Sequence, residues 1–197
     1  MKYTRPAFPA ATLLLVLLLA ACGPSNNIRL LPQPPLDATV LPSPKAPSVS
    51  VVAFTDNRPD RTSLGVRKDN SAFITSDNIT DWVSRALADE LNRNGLQVSY
   101  AAGFKEARNG NPDYMVTGEL NSLWLKEISA TELSTELRIT YNLANRQKRI
   151  LKDTFSQAQS RTGLPTSSAA ERLLQETLRD LVKPVARKIV QTIEGKK

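Results

Sequence analysis

The clearest pattern in this sequence is an alternation of apolar and polar residues between positions 132 and 143, interrupted at Thr135. The apolar residues of this stretch are Leu133, Leu137, Ile139, Tyr141 and Leu143. A period of two predicts a strand with one buried face and one wet face, which is typical of an antiparallel sheet. Strand-like segments at 114–125 and 150–160 complete a meander, with a turn at 126–129 and the more polar last strand at an edge.

The segment before the meander predicts an amphipathic helix. Its apolar residues recur every three or four positions from Ile79 to Leu91, which places them on one face. Ser76 or Asp77 can cap its N-terminus, because a short side-chain oxygen accepts hydrogen bonds from the free N–H groups of a first turn. The helix then ends at Asn94-Gly95, because glycine readily adopts the left-handed backbone conformation that follows a helix C-terminus.

A second amphipathic helix is predicted at the C-terminal end of the domain. Ser168 and Glu171 fit a capping box at its start. Its apolar stripe continues for about 20 residues to Ile193, and the stripe is suited to cover the apolar face of a sheet. Pro184 lies inside this stripe and should kink or split the helix.

Short apolar runs at 49–54, 72–75 and 96–100 add brief strands to these elements. Together the elements predict an α+β domain. Its expected form is an antiparallel sheet of four to five strands with two helices packed on one face.

The N-terminus has the parts of a bacterial export signal. Lys2 and Arg5 give a positive start, and an unbroken apolar run fills 13–19, too short for a membrane-spanning helix of about 20 residues. Residues 19–22, Leu-Ala-Ala-Cys, resemble the lipobox of bacterial lipoproteins. This resemblance implies cleavage before Cys22, a diacylglyceryl group on its sulfur and an acyl chain such as palmitate on its amine. Anchoring through two or more chains is stable.

The residues after the cysteine predict location and organisation. Gly23 stands where an Asp would resemble an inner-membrane retention signal, which implies an outer-membrane anchor facing the periplasm. Seven prolines at 23–48 predict an extended tether, either a spacer with a reach on the order of 70–80 Å or a passive linker. The predicted organisation is a signal peptide at 1–21, lipidated Cys and Pro-rich tether at 22–48, a periplasmic α+β domain at 49–193 and a basic tail at 194–197.

Composition narrows the function. The chain has no histidine, which removes the commonest general base and the commonest metal ligand, so we expect no enzyme, no metal site and no cofactor besides the covalent lipid. The formal net charge of +7 is spread along the chain, so no nucleic-acid partner is predicted. Cys22 is the only cysteine, so no disulfide can form within the chain.

One loop stands out as a candidate site. Asp56, Arg58, Asp60 and Arg61 alternate acid and base directly after the first strand. Paired carboxylates are suited to bind a cation or to act as acid and base. The neighbouring arginines favour mutual neutralisation instead, so the loop is either a salt-bridged turn or a binding loop.

The order of these features resembles the YajG-like family of Gram-negative outer-membrane lipoproteins. The likeness is carried by the lipobox, the strand at 49–54, the Asp56-x-Arg58-x-Asp60-Arg61 motif and Gly65. The resemblance implies an outer-membrane lipoprotein with no catalytic residues to carry over.

The function expected from the sequence is non-enzymatic. It is an outer-membrane-anchored periplasmic lipoprotein that binds or positions a protein partner in the cell envelope. One alternative is a regulator of peptidoglycan synthesis that uses the tether as its reach. Another is an accessory protein that binds a small ligand or lipopolysaccharide.

Overall fold

The computed structural model describes residues 25–34 and 42–195, with a mixed eight-stranded sheet as its central layer. The strands are β1 (Ser48–Val52), β2 (Thr55–Asp56), β3 (Gly65–Val66), β4 (Ala72–Phe73), β5 (Gln97–Ala101), β6 (Tyr114–Ser129), β7 (Glu132–Asn145) and β8 (Arg149–Thr162). The helices are α1 (Ile79–Arg93), α2 (Phe104–Asn109) and α3 (Ser167–Glu194). Within the described ranges, no helix combines the length and hydropathy that a bilayer span requires.

Strand β6 organises the sheet. One of its edges pairs in parallel with β1, β2 and β3 in succession, and its other edge pairs antiparallel with β7. β5 adds to β1 in parallel, and β4 adds to β3 antiparallel. The α+β class is therefore confirmed, and the prediction of an antiparallel sheet with four to five strands is matched in part. The strands β6, β7 and β8 pair antiparallel, whereas β1 pairs in parallel with β5 and β6. The reason is the connection through α1, because a strand that leads into a helix returns to its sheet in parallel.

The predicted meander is present as β6, β7 and β8. The apolar residues of β7 are buried and their neighbours face outward, which confirms the alternation. The turn between β6 and β7 falls at 130–131, later than predicted, because β6 continues to Ser129. Among the described strands β8 pairs with β7 alone, so it is an edge strand as predicted.

Helix α1 has the predicted apolar face, and its cap lies one residue further along than expected. Asn78 Oδ1 accepts a hydrogen bond from the Asp81 N–H at 3.0 Å, so the cap is neither Ser76 nor Asp77. Asp77 instead accepts from the Leu30 N–H at 2.7 Å. The helix ends before Asn94 and Gly95, and Gly95 has φ +85°, as the sequence predicts.

Helix α3 packs beside α1 and covers the apolar face of β7 and β8. Its cap is Thr166, whose Oγ1 accepts from the Ala169 N–H at 3.2 Å, and not the predicted Ser168. The helix continues through Pro184, so of the two predicted outcomes the split is wrong and the kink stays a prediction. Leu181 and Val185 on either side of the proline are both buried in the core, which holds the two halves in one helix.

Helix α2 was not predicted from the sequence. It lies beyond the end of β5, where Ala107 packs with Val52, Ala101 and Met115 in a small cluster separate from the main core. With six residues it is too short to show a helical period. Its position matters because it forms one wall of the cleft described below.

Residues 25–34, which the sequence assigned to the tether, pack on the domain, and we call them the N-terminal strap. Ile28 is completely buried, and its N–H donates to the Ile74 carbonyl at 2.8 Å. The Trp82 indole N–H donates to the Leu31 carbonyl at 2.8 Å. The strap is thus part of the folded unit, so a boundary at residue 49 leaves out core residues. A tether elsewhere in 22–48 stays a prediction.

The contacts of the strap also concern how far the predicted tether can extend. Arg93 Nη2 donates to the Pro34 carbonyl at 2.9 Å, and Gln97 Nε2 donates to the Ser43 carbonyl at 3.0 Å. Residues on both sides of 35–41 are therefore fixed to the domain. The docked strap cannot be extended at the same time, so this packing does not support a spacer of 70–80 Å.

Candidate functional site

The predicted binding loop at 56–61 is closed by an internal ion pair. The buried Arg58 donates to both carboxylate oxygens of Asp56, from Nε to Oδ1 at 3.0 Å and from Nη2 to Oδ2 at 2.9 Å. Its Nη1 donates to the Ser63 carbonyl at 3.0 Å. Burial alone would raise the pKa of Asp56, but the hydrogen bonds from Arg58 outweigh it and hold the pKa below its usual value.

The other two residues of the motif continue the same turn. Hydrogen bonds from Ser63 and Thr62 hold the pKa of the Asp60 carboxyl well below its usual range. Arg61 is exposed and lines, with Asp56 and Arg58, a cleft of about 190 Å³ beside the start of α1. The structure therefore brings the four residues into one turn in which both carboxylates are already hydrogen-bonded. Their role in binding stays a prediction.

We expect the Arg58→Ala variant to lose about 2 kcal/mol of unfolding free energy. The substitution removes the guanidinium that donates to the Asp56 carboxylate and to the Ser63 carbonyl, and leaves Asp56 with the bond from the backbone N–H of residue 58. Arg61→Ala is the matched control and should stay within about 0.5 kcal/mol of the parent, because Arg61 is exposed. Urea denaturation measures both. Equal losses would contradict a structural role specific to Arg58.

A larger cleft opens where β6 begins and β7 ends. It has a volume of about 350 Å³, and a second, more open cleft of about 470 Å³ adjoins it. The two share Asp113, Tyr114, Asn145 and Arg146 in their walls. We call this region the cleft end of the domain, and we call the opposite end, around the turn at 130–131, the hairpin end.

Four segments distant in sequence build the cleft end. Helix α2 supplies Phe104 and Arg108, and the turn between β7 and β8 supplies Arg146. Lys45 comes from the segment before β1. The segment at 109–113 turns sharply into β6, and Asn111 adopts φ +46° there, a conformation that asparagine tolerates better than most residues.

Arg146 is the central cation of this site. Its Nη2 donates to the Asn111 carbonyl at 3.0 Å and lies 3.4 Å from Asp113 Oδ1, while more than half of its side chain stays exposed. Hydrogen bonds from the Ser48 N–H and hydroxyl hold the pKa of the Asp113 carboxyl below its usual value. Asp113 is thus a fixed anion that orients Arg146 and leaves part of the guanidinium facing solvent.

The charge at the cleft end is positive. Lys45, Arg108 and Arg146 line the two clefts, and Asp113 is the one carboxylate in their walls. Phe104 is 53% exposed beside them, and the Arg108 guanidinium lies 5.9 Å from the centre of its ring. Arginines with free N–H groups bind phosphate in bidentate fashion, and an exposed aromatic ring adds apolar contact. The arrangement suits an anionic, amphipathic ligand.

Sequence reasoning missed this site because its residues come together only through the fold. The nearest signal is Arg146-Gln147-Lys148-Arg149, three cations within four residues. Lys148 is exposed on the same turn, and Arg149 is exposed at the start of β8. Cys22, the predicted lipidation residue, lies outside the described residues. In the part of the chain that the structure covers, no three Asp, Glu, Cys or His side chains gather as a metal site would require.

Comparison with known families defines the class of this protein as lipopolysaccharide-assembly. Residues 49–193 match the model of the LptE family, described as lipopolysaccharide-assembly. The chain therefore belongs to the LptE lipopolysaccharide-assembly family. No curated protein matches the sequence significantly.

Solved structures show the same fold at low sequence identity. Protein XCC0632 from Xanthomonas campestris is 14% identical, with a TM-score of 0.59 over 88% of this chain and 95% of that chain. An uncharacterized protein is 11% identical, with a TM-score of 0.54 over 83% of this chain and 97% of that chain. These likenesses concern the fold alone.

Proposed function

We propose that this protein is a non-enzymatic, outer-membrane-anchored lipoprotein that binds lipopolysaccharide at the cleft end during its assembly in the envelope. The observation that carries the proposal is the grouping of Lys45, Arg108 and Arg146 around one pair of clefts. Lipopolysaccharide carries phosphate groups on a lipid-linked sugar core, so it presents the anions that such a group recognises. Membership of the lipopolysaccharide-assembly family supports this choice of ligand.

Two narrower proposals accompany it. The first is lipidation of Cys22, which the lipobox supports. The second is the YajG-like assignment, which the motif at 56–61 and Gly65 support. The alternative of a regulator of peptidoglycan synthesis is less favoured, since the docked strap does not support the long spacer that was one of its two grounds. A protein partner in the envelope remains part of the proposal, and its identity is open.

The binding proposal predicts that the Arg108→Ala/Arg146→Ala double variant binds lipopolysaccharide about tenfold more weakly, a loss of about 1.4 kcal/mol. Two charge-assisted contacts to phosphate would be removed. Binding is measured by fluorescence anisotropy with labelled lipopolysaccharide at low and moderate salt. The difference should shrink as salt screens these exposed charges.

The matched control is Lys68→Ala/Lys126→Ala, which also removes two exposed cations, away from the cleft end. Both double variants have the same net charge, so a general charge effect would weaken them equally. That result, or unchanged binding in both, would contradict the proposed site. Thermal unfolding of each variant checks that the turn at 109–113, which Arg146 supports, is retained.

A further inference from the structure

The start of the N-terminal strap is fixed at the hairpin end. The carbonyl of Ser25 accepts hydrogen bonds from Arg67 Nη2 at 3.1 Å and from Ser167 Oγ at 2.8 Å. Arg67 is itself buried, with its guanidinium 4.8 Å from the centre of the Phe73 ring and 3.2 Å from Glu127 Oε2. Ser25 is thus held by Arg67, which follows β3 and pairs with Glu127 of β6, and by Ser167 at the start of α3.

Covalent geometry ties this point to the lipid. Cys22 precedes Ser25 by three residues, and three residues span at most about 11 Å even when fully extended. Acyl chains on Cys22 would therefore hold Ser25, and the hairpin end with it, close to the headgroups. This step depends on the lipidation of Cys22 proposed above.

The hairpin end also exposes large apolar side chains. Leu164 is 73% exposed and follows Gly163, whose N–H donates to the Thr131 carbonyl at 2.8 Å. Ile128 lies at the end of β6, directly after the Glu127 that pairs with Arg67. Ile74 bonds through its N–H to the Asn26 carbonyl at 2.9 Å, one residue from Ser25.

Each of these residues lies within three positions along the chain of a group that bonds to the start of the strap or to Arg67. Ile74, Ile128 and Leu164 are three of the five large apolar side chains that are exposed in the described ranges. Single exposed apolar residues are common on any protein surface. These three, however, lie at the end of the domain nearest to the lipid attachment point. A membrane interface is a surface that accepts exposed apolar side chains.

We propose that the hairpin end is a membrane-contacting surface. Ile128 and Leu164, with Ile74 beside them, enter the headgroup region of the phospholipid leaflet that holds the Cys22 acyl chains. The cleft end then points away from the membrane, because the sixteen residues of β6 separate the two ends by about 50 Å. The lipid anchor and the apolar side chains together fix the orientation of the domain, and the cleft opens toward the periplasm.

The test uses the full, lipidated chain in vesicles of phosphatidylethanolamine and phosphatidylglycerol. Acylation blocks the thiol of Cys22, so Leu164→Cys and Ile128→Cys each provide one site for a fluorescent label. Phe104→Cys is the matched control, since Phe104 is an exposed apolar residue at the cleft end. Nitroxide lipids should quench the labels at 128 and 164 several-fold more than the label at 104.

Equal quenching at the three positions, or stronger quenching at 104, would overturn the proposed orientation. Mass spectrometry of the purified chain reports acylation of Cys22 separately. If Cys22 carries no lipid, nothing holds Ser25 close to the headgroups. The proposed membrane contact is then overturned together with the proposed lipid anchor. Lipopolysaccharide binding by the cleft variants is measured without vesicles, so its success or failure is distinguishable from both results.

Discussion

Replacing Gly65 with alanine is expected to lower the free energy of unfolding by about 4 kcal/mol. Gly65 has φ +147°, a conformation that residues with a Cβ rarely adopt. A Cβ at this position would lie 1.7 Å from the Leu125 carbonyl oxygen, which belongs to the backbone of β6. Because neither chain can move without breaking the β3–β6 pairing, strain and clash both add to the cost. Urea denaturation measures the change.

Gly163→Ala is the control that separates the cost of backbone strain from the cost of the steric clash. Gly163 has φ +151°, almost the same backbone conformation, but a Cβ there would meet nothing within 4 Å. Its expected loss is about 1–2 kcal/mol from backbone strain alone. If the two variants were equally destabilised, the close approach of β3 to β6 would not contribute, and the role of Gly65 in the motif after β1 would need another explanation.

The fold could be predicted where one local pattern decides the structure. The alternation in β7 follows from a single buried face, and Gly95 ends α1 because the chain must turn left-handed there. The parallel pairing of β1 with β5 could not be read in the same way. Residues 53–78 separate β1 from α1 and hide the strand–helix–strand unit, and β2 and β3, with two residues each, are too short to show any period.

The candidate site was harder to predict than the fold. The motif at 56–61 is conspicuous as a sequence, yet the structure uses Arg58 and Asp56 to bond each other. The cleft end depends on Lys45, Arg108 and Arg146, which no local pattern connects. Charge spread along a chain can still converge in space, because the ends of strands that are far apart in sequence meet at one edge of a sheet.

The strap is the other feature that composition concealed. A segment rich in proline usually stays solvated, since it lacks backbone donors and regular structure. Ile28 and Leu30 are nevertheless buried, one on each side of the exposed Arg29. This alternation is a strand-like signal of three residues, too short to outweigh the prolines around it. Its partners, Ile74 and Asp77, lie more than forty residues away.

Replacing Ile28 with alanine is expected to lower the free energy of unfolding by about 3 kcal/mol. The side chain is fully buried in the main core, so its removal loses apolar burial and leaves a cavity. Arg29→Ala is the matched neighbour. Its side chain is exposed, and the bond from its backbone N–H to Glu171 is retained in the variant, so the change should be within about 0.5 kcal/mol.

The comparison decides where the folded unit begins. If the two variants unfold at the same urea concentration, residues 25–34 add nothing to the core, and the domain starts near residue 49 with a free tether before it. A loss confined to Ile28→Ala places the strap inside the cooperative unit. Cys22 is then separated from the folded domain by only three residues. Three residues are too short to let the domain extend far from the membrane, and short enough to orient it against the membrane. Slow hydrogen exchange of the Ile28 N–H, which donates to Ile74, should accompany that result.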